Sequence, residues 1–115
     1  MRSNAAVMDA PEVAEFEPER KRKPKKQPPY NVIVYNDDQH TYEYVIKTLE
    51  KVFGYPPEKG FQLADQIHRI GQAVVWTGTR ELAELKVDQI KGAGKDFYAK
   101  EPVDWPLRCE CVPAY

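Results

Sequence analysis

The sequence predicts a small α+β domain of order βααβαβ, with three helices covering one face of a three-stranded antiparallel sheet. Three observations predict it. Three segments repeat apolar residues at spacings of three and four, the mark of a helix with one apolar face. The closing segment instead alternates, with Leu107, Cys109 and Cys111 on one side and Arg108 and Glu110 on the other, as in a half-buried strand. Glycines and capping residues separate these segments at short intervals, so each element must bury its apolar face against the others in one layer pair.

The elements follow in order. Asn31–Tyr35 carries the apolar run Val32-Ile33-Val34 and reads as the first strand. Thr41–Phe53 reads as a helix on Tyr42, Val45, Leu49 and Val52, closed by Gly54. Pro57 suits the first turn of a second helix, which runs to Ile70 on Leu63, Ile67 and Ile70 and ends at Gly71. Ala73–Trp76 is a short second strand. Thr79 caps a third helix built on Leu82, Ala83, Val87 and Ile90, broken by Gly92 and Gly94. Asp96–Asp104 reads as a loop and Trp105–Val112 as the last strand.

The domain is expected over residues 29–115. Residues 1–28 are expected to be a disordered extension, because Pro11, Pro18, Pro24 and Pro28 stand among many charges and few apolar side chains. Charge divides along the same line: residues 1–29 sum to +2 and residues 30–115 to −3. A mildly acidic domain is a poor match to a phosphate backbone, so nucleic acid is not the expected partner. The basic block Arg20–Lys26 keeps nucleic-acid binding open as an alternative. Met1–Ala14 has no apolar core of a signal peptide, and no apolar run approaches the ~18 residues of a membrane span. A soluble cytoplasmic protein is expected.

Cys109 and Cys111 lack the second pair or histidine spacing of a zinc site, and read as buried thiols. Pairing either with His68 as nucleophile and base fails for want of a positively polarised turn to lower the thiol pKa. No glycine-rich phosphate loop is present. No enzyme, metal or cofactor is expected.

The informative chemistry is Asn36-Asp37-Asp38, set between the first strand and the first helix. Such residues bond the local backbone in turns, so one reading is a plain capping turn. The other uses their oxygens as acceptors for an ammonium. His68, one residue off the apolar stripe of the second helix, adds a third acceptor while its imidazole is neutral. Asn36, Asp37 and His68 together match the three N–H donors of a protonated α-amine.

Asn36-Asp37-Asp38, Glu43-Tyr44-Val45, Phe53-Gly54, Ile67-His68, Gly71-x-Ala73, Glu81-x-Ala83-Glu84-x-Lys86-Val87 and Pro106-Leu107-x-Cys109 occur in order over about residues 29–112. In this order and spacing the chain resembles the ClpS family, adaptors that deliver N-degron substrates to the ClpA or ClpC unfoldase of the Clp protease. The resemblance implies the βααβαβ fold and a binding rather than a catalytic role. It implies that Asn36, Asp37 and His68 hold the free α-amino group of a protein beginning with Leu, Phe, Tyr or Trp. The first side chain would enter a pocket near Asp38, His40, Tyr42, Val45, Ala64, Ile67 and Leu107. Glu81 and Lys86 match positions that face the unfoldase N-terminal domain, and the extension matches a segment that engages the unfoldase pore. Three places depart from the commoner family pattern: His40-Thr41-Tyr42 stands where Thr-Pro-Met is frequent, Ala64 where Met is frequent, and Gly94–Asp104 is a longer loop. A ribosomal-stalk type module shares the small α+β build, but would not need Asn36-Asp37-Asp38 followed by His68.

Overall fold

Val32, Ile33 and Val34 are β-branched and apolar, which suits the middle of a sheet, and the strand they form is its centre. The computed structural model describes residues 27–115, so the extension expected over residues 1–28, with its basic block, lies almost wholly outside the described residues. The elements are β1 (Tyr30–Tyr35), α1 (Tyr42–Phe53), α2 (Pro57–Ile70), β2 (Gln72–Gly78), α3 (Arg80–Lys91) and β3 (Cys109–Pro113). The sheet order is β2-β1-β3, with both pairings antiparallel. The predicted α+β class and element order are the ones observed.

The core lies between the helices and one face of the sheet. Val32, Val34, Leu49 and Ile90 are fully buried there, with Ala83, Val87 and Leu107 around them. Burying a side chain such as Leu49 contributes about 1.5–3 kcal/mol. α1 and α2 approach closely at Gly60, where a Cβ would meet Ile46 Cγ2 at 3.2 Å. The opposite sheet face is mixed, with Ile33 and the exposed Val74 beside polar groups. There the Tyr35 hydroxyl donates to Glu110, and Arg108 lies over the Tyr35 ring at 4.8 Å. Among the described residues no helix is long and apolar enough to cross a membrane.

Four local expectations are corrected. The last strand is Cys109–Pro113, not Trp105–Val112. Pro106 has no N–H to give a ladder, and the preceding segment folds back on itself through paired Asp96 and Val103 backbones (3.0 and 3.1 Å). The second strand is longer than Ala73–Trp76, because all six residues of β1 find partners between Gln72 and Gly78. Ile70 is 71% exposed, since it ends α2 beyond the reach of the sheet, and Gly60 and Ala64 join Ile67 on the buried face. Leu82 is 47% exposed: α3 packs through Ala83, Val87 and Ile90, and Leu82 falls beside that arc.

Both cysteines are free thiols. Burial pushes the Cys109 thiol up to about 11, against a smaller opposing pull from Lys91. A raised value means that the neutral thiol's contribution to stability is complete below the ordinary thiol pKa and is lost as pH rises through about 11. At pH 8, iodoacetamide is therefore expected to alkylate the partly exposed Cys111 in the native protein and to reach Cys109 only after denaturation. Mass spectrometry of the digested protein checks this, and equal rates at the two thiols would contradict it.

Candidate functional site

Two chain reversals build the site. At the end of β1 the ladder continues one step, Asn36 N–H donating to the Gly71 carbonyl at 2.9 Å. Gly71 is the left-handed cap of α2 (φ 106°), a conformation that disfavours any side chain. Gly71 N–H closes the helix on the Ile67 carbonyl, and its own carbonyl takes the Asn36 N–H, so His68, on the last turn of α2, is held beside the Asn36–Asp37 turn. Both sides of the site are thus fixed by backbone.

Asp37 organises the turn. Its Oδ1 accepts the Gln39 and His40 N–H groups (3.0 and 2.8 Å), and its Oδ2 lies 2.6 Å from His40 Nδ1. Burial works to raise its pKa, but the bonds from the His40 backbone, the His40 ring and the Gln39 N–H outweigh it, and the carboxyl lies below its ordinary value. An ionised carboxylate has about four acceptor positions, so three bonds leave one for a further donor. The Asn36 amide donates to Asp38 Oδ1 at 3.3 Å, which turns its carbonyl oxygen to the acceptor role. The helix cap itself is Thr41, whose hydroxyl accepts from Tyr44 N–H at 3.1 Å. Asp37 is therefore a turn residue but not the cap.

A cleft joins these groups. Asn36, Asp37 and His68 line it together with His40, Tyr42, Val45, Ala64, Ile67 and Leu107, and with Tyr35 and Thr41. Every residue expected at the amine and side-chain sites is there except Asp38, which is exposed and turned to Asn36. Val45, Ala64, Ile67 and Leu107 are buried and form an apolar floor. The cleft is closed in this structure, with about 20 Å³ of free space. Tyr42 closes it. Its ring lies 5.7 Å from both His68 and Phe61, and its hydroxyl donates to Asp65 Oδ1 at 3.1 Å. Asp65 was missed in the sequence reading, although its place three residues before His68 puts both on one side of α2.

The two residues expected on the partner-facing surface differ. Glu81 is exposed on the first turn of α3, with Leu82 and Leu85 each 47% exposed beside it. Lys86 points inward: its ammonium donates to the Val52 carbonyl at 2.9 Å and lies 5.5 Å from the centre of the Phe53 ring. It neutralises the carbonyl end of α1. Among the described residues no cluster of three or more potential metal ligands occurs.

An apolar cleft rimmed by hydrogen-bonding groups on a three-stranded α+β scaffold defines a small binding domain. The family model for "ATP-dependent Clp protease adaptor protein ClpS" matches residues 25–110. An ATP-dependent Clp protease adapter protein ClpS of Pectobacterium carotovorum is 41% identical over 91 residues, 77% of this chain and 80% of that protein. That of Thermosynechococcus vestitus is 39% identical over 79 residues, covering 68% and 84%. The structure of Agrobacterium tumefaciens ClpS2 bound to L-phenylalaninamide superposes with a TM-score of 0.61 at 30% identity, covering 76% of this chain and 99% of that one. The chain belongs to the ClpS family of Clp protease adaptors.

Proposed function

We propose that residues 29–115 bind the free α-amino group and bulky first side chain of N-degron proteins, and that the chain delivers them to a Clp unfoldase. The observation that carries this reading is the cleft itself: Asn36, Asp37 and His68 stand at one rim of a floor made by Val45, Ala64, Ile67 and Leu107. L-Phenylalaninamide, the ligand of the related A. tumefaciens protein, combines a free amine with a benzyl group, the two features this rim and floor match. Each hydrogen bond to a charged amine contributes roughly 1.5–3 kcal/mol, and burying a Leu or Phe side chain about as much. After association costs, the sum is of the order of micromolar affinity.

Glu81, with the exposed Leu82 and Leu85, is the surface offered to the N-terminal domain of a ClpA- or ClpC-type unfoldase; Lys86 borders it from within. The chain enters the domain at Pro28 and Pro29, which share a groove with Glu81 and Glu84. An extension leaving from there begins beside the docked partner. Two free thiols accord with work in a reducing cytoplasm.

Tyr42 makes first-residue selectivity the sharpest test. A guest ring needs far more than 20 Å³, so Tyr42 must swing away from Asp65 to admit it. Its ring then packs edge-on against an aromatic guest, adding about 0.5–1.5 kcal/mol beyond area burial. Peptides beginning with Phe, Tyr and Trp are therefore expected to bind up to about tenfold better than one beginning with Leu. Tyr42→Met should shrink the difference, and Ala64→Met should weaken Trp most. Titration of peptides differing only in residue one, against the three proteins, reads the ranking. A preference for Leu, or a ranking unmoved by Tyr42→Met, would contradict this pocket; binding equally good for a Gly-initiated peptide would contradict the whole reading.

A further inference from the structure

We infer that His40 is a positioning residue for the amine contact, holding the Asp37 carboxylate against the loop of residues 94–106. His40 was expected in the wall of the side-chain pocket, but its polar atoms serve Asp37. Its side chain is only 2% exposed, and its Nδ1 is 2.6 Å from Asp37 Oδ2. Its Nε2 is 2.9 Å from the Trp105 carbonyl oxygen. Each ring nitrogen faces an oxygen, so the ring donates to both only as the imidazolium. The ring also stacks on Tyr44 (centroids 5.0 Å apart, planes at 28°), and the Tyr44 hydroxyl donates to the Gly94 carbonyl at 2.5 Å.

The loop behind His40 is itself fastened to the turn. Asp96 is fully buried. Its carboxylate accepts the Thr41 N–H at 2.7 Å, the Thr41 hydroxyl at 3.1 and 3.2 Å, and the Tyr98 N–H at 2.9 Å. Gly94, Asp96 and Trp105 therefore tie the loop to Tyr44, Thr41 and His40 in turn. His40 is the member of this set that touches Asp37. A group fixed before the ligand arrives loses less freedom on binding it, and ligating carboxylates are commonly oriented by such a neighbour. The long loop is thus a working part of the amine site.

This inference rests on the reading of Asp37 as an acceptor for the ligand's ammonium. The test titrates the full chain by NMR with a Phe-initiated peptide and with its des-amino counterpart, in which 3-phenylpropanoyl replaces the first residue. Wild-type protein should prefer the amine. His40→Ala should reduce that preference at least fivefold, read as the ratio of the two affinities, since His40 also lines the cleft and its loss can weaken both peptides in common. His40→Gln, which keeps an N–H donor, should recover part of it. Asp96→Asn, which loosens the loop one contact further away, should move the ratio in the same direction by less, and serves if His40→Ala does not fold. An amine preference that survives His40→Ala, or an equal loss for both peptides, would overturn the role of His40 alone. A wild-type protein without amine preference would overturn the amine reading and this inference with it.

Discussion

Asp37→Ala is expected to lower affinity for a Phe-initiated peptide about a hundredfold or more. Truncating one partner of a hydrogen-bonded charge pair costs about 2–5 kcal/mol, and each 1.4 kcal/mol is tenfold. Asp37 also holds the Gln39 and His40 N–H groups, so the Ala variant loses the turn as well as the charge. Asp37→Asn separates the two. Its side-chain oxygen still serves the turn, so the melting temperature should change little, while the missing charge should still cost at least tenfold in binding. Titration and thermal melting of both variants check this. Wild-type affinity in Asp37→Asn would show that the residue serves the turn alone.

Removing residues 1–26 is expected to leave peptide affinity within twofold of wild type and to abolish delivery to the Clp protease. All residues lining the cleft lie between Tyr35 and Leu107, so the truncation touches none of them. The removed segment is rich in proline and charge. Pro28 and Pro29, where the chain joins the domain, lie beside Glu81. The measurement pairs a peptide titration with the degradation rate of a Phe-initiated substrate by the reconstituted protease. Full-rate degradation with the truncated chain would remove the extension's role.

Much of the domain was legible because its signals are local. The helix ends are written in Gly54, Gly71 and Thr79, each of which caps as its type suggests, while Thr41, expected inside the first helix, is its cap. Asn36, Asp37 and His68 were readable as a set from chemistry, and the fold brings them to one cleft. What was not legible depends on contacts between residues distant in sequence. Nothing around Lys86 announces that its ammonium reaches the Val52 carbonyl 34 residues earlier. Nothing around His40 announces that Trp105 supplies its second bond. The last strand was drawn too early because Leu107 alternates correctly with Cys109 yet is buried from a loop, beneath the cleft rather than in the sheet. Tyr42 is legible as a residue near the pocket, but not what its hydroxyl bonds. The bond of its hydroxyl to Asp65 is a tertiary contact with a residue 23 positions away.

The central claim is that this cleft recognises a charged α-amine together with the side chain beside it. On that claim, acetylation removes the charge and adds bulk at the part of the cleft lined by Asn36, Asp37 and His68, and a buried polar group without partners is costly. The most direct measurement is calorimetric titration of the protein with one Phe-initiated peptide in two forms, free and N-acetylated. The free peptide should bind at about micromolar concentration, and the acetylated form should lose at least tenfold. Equal affinity for the two forms would contradict the account.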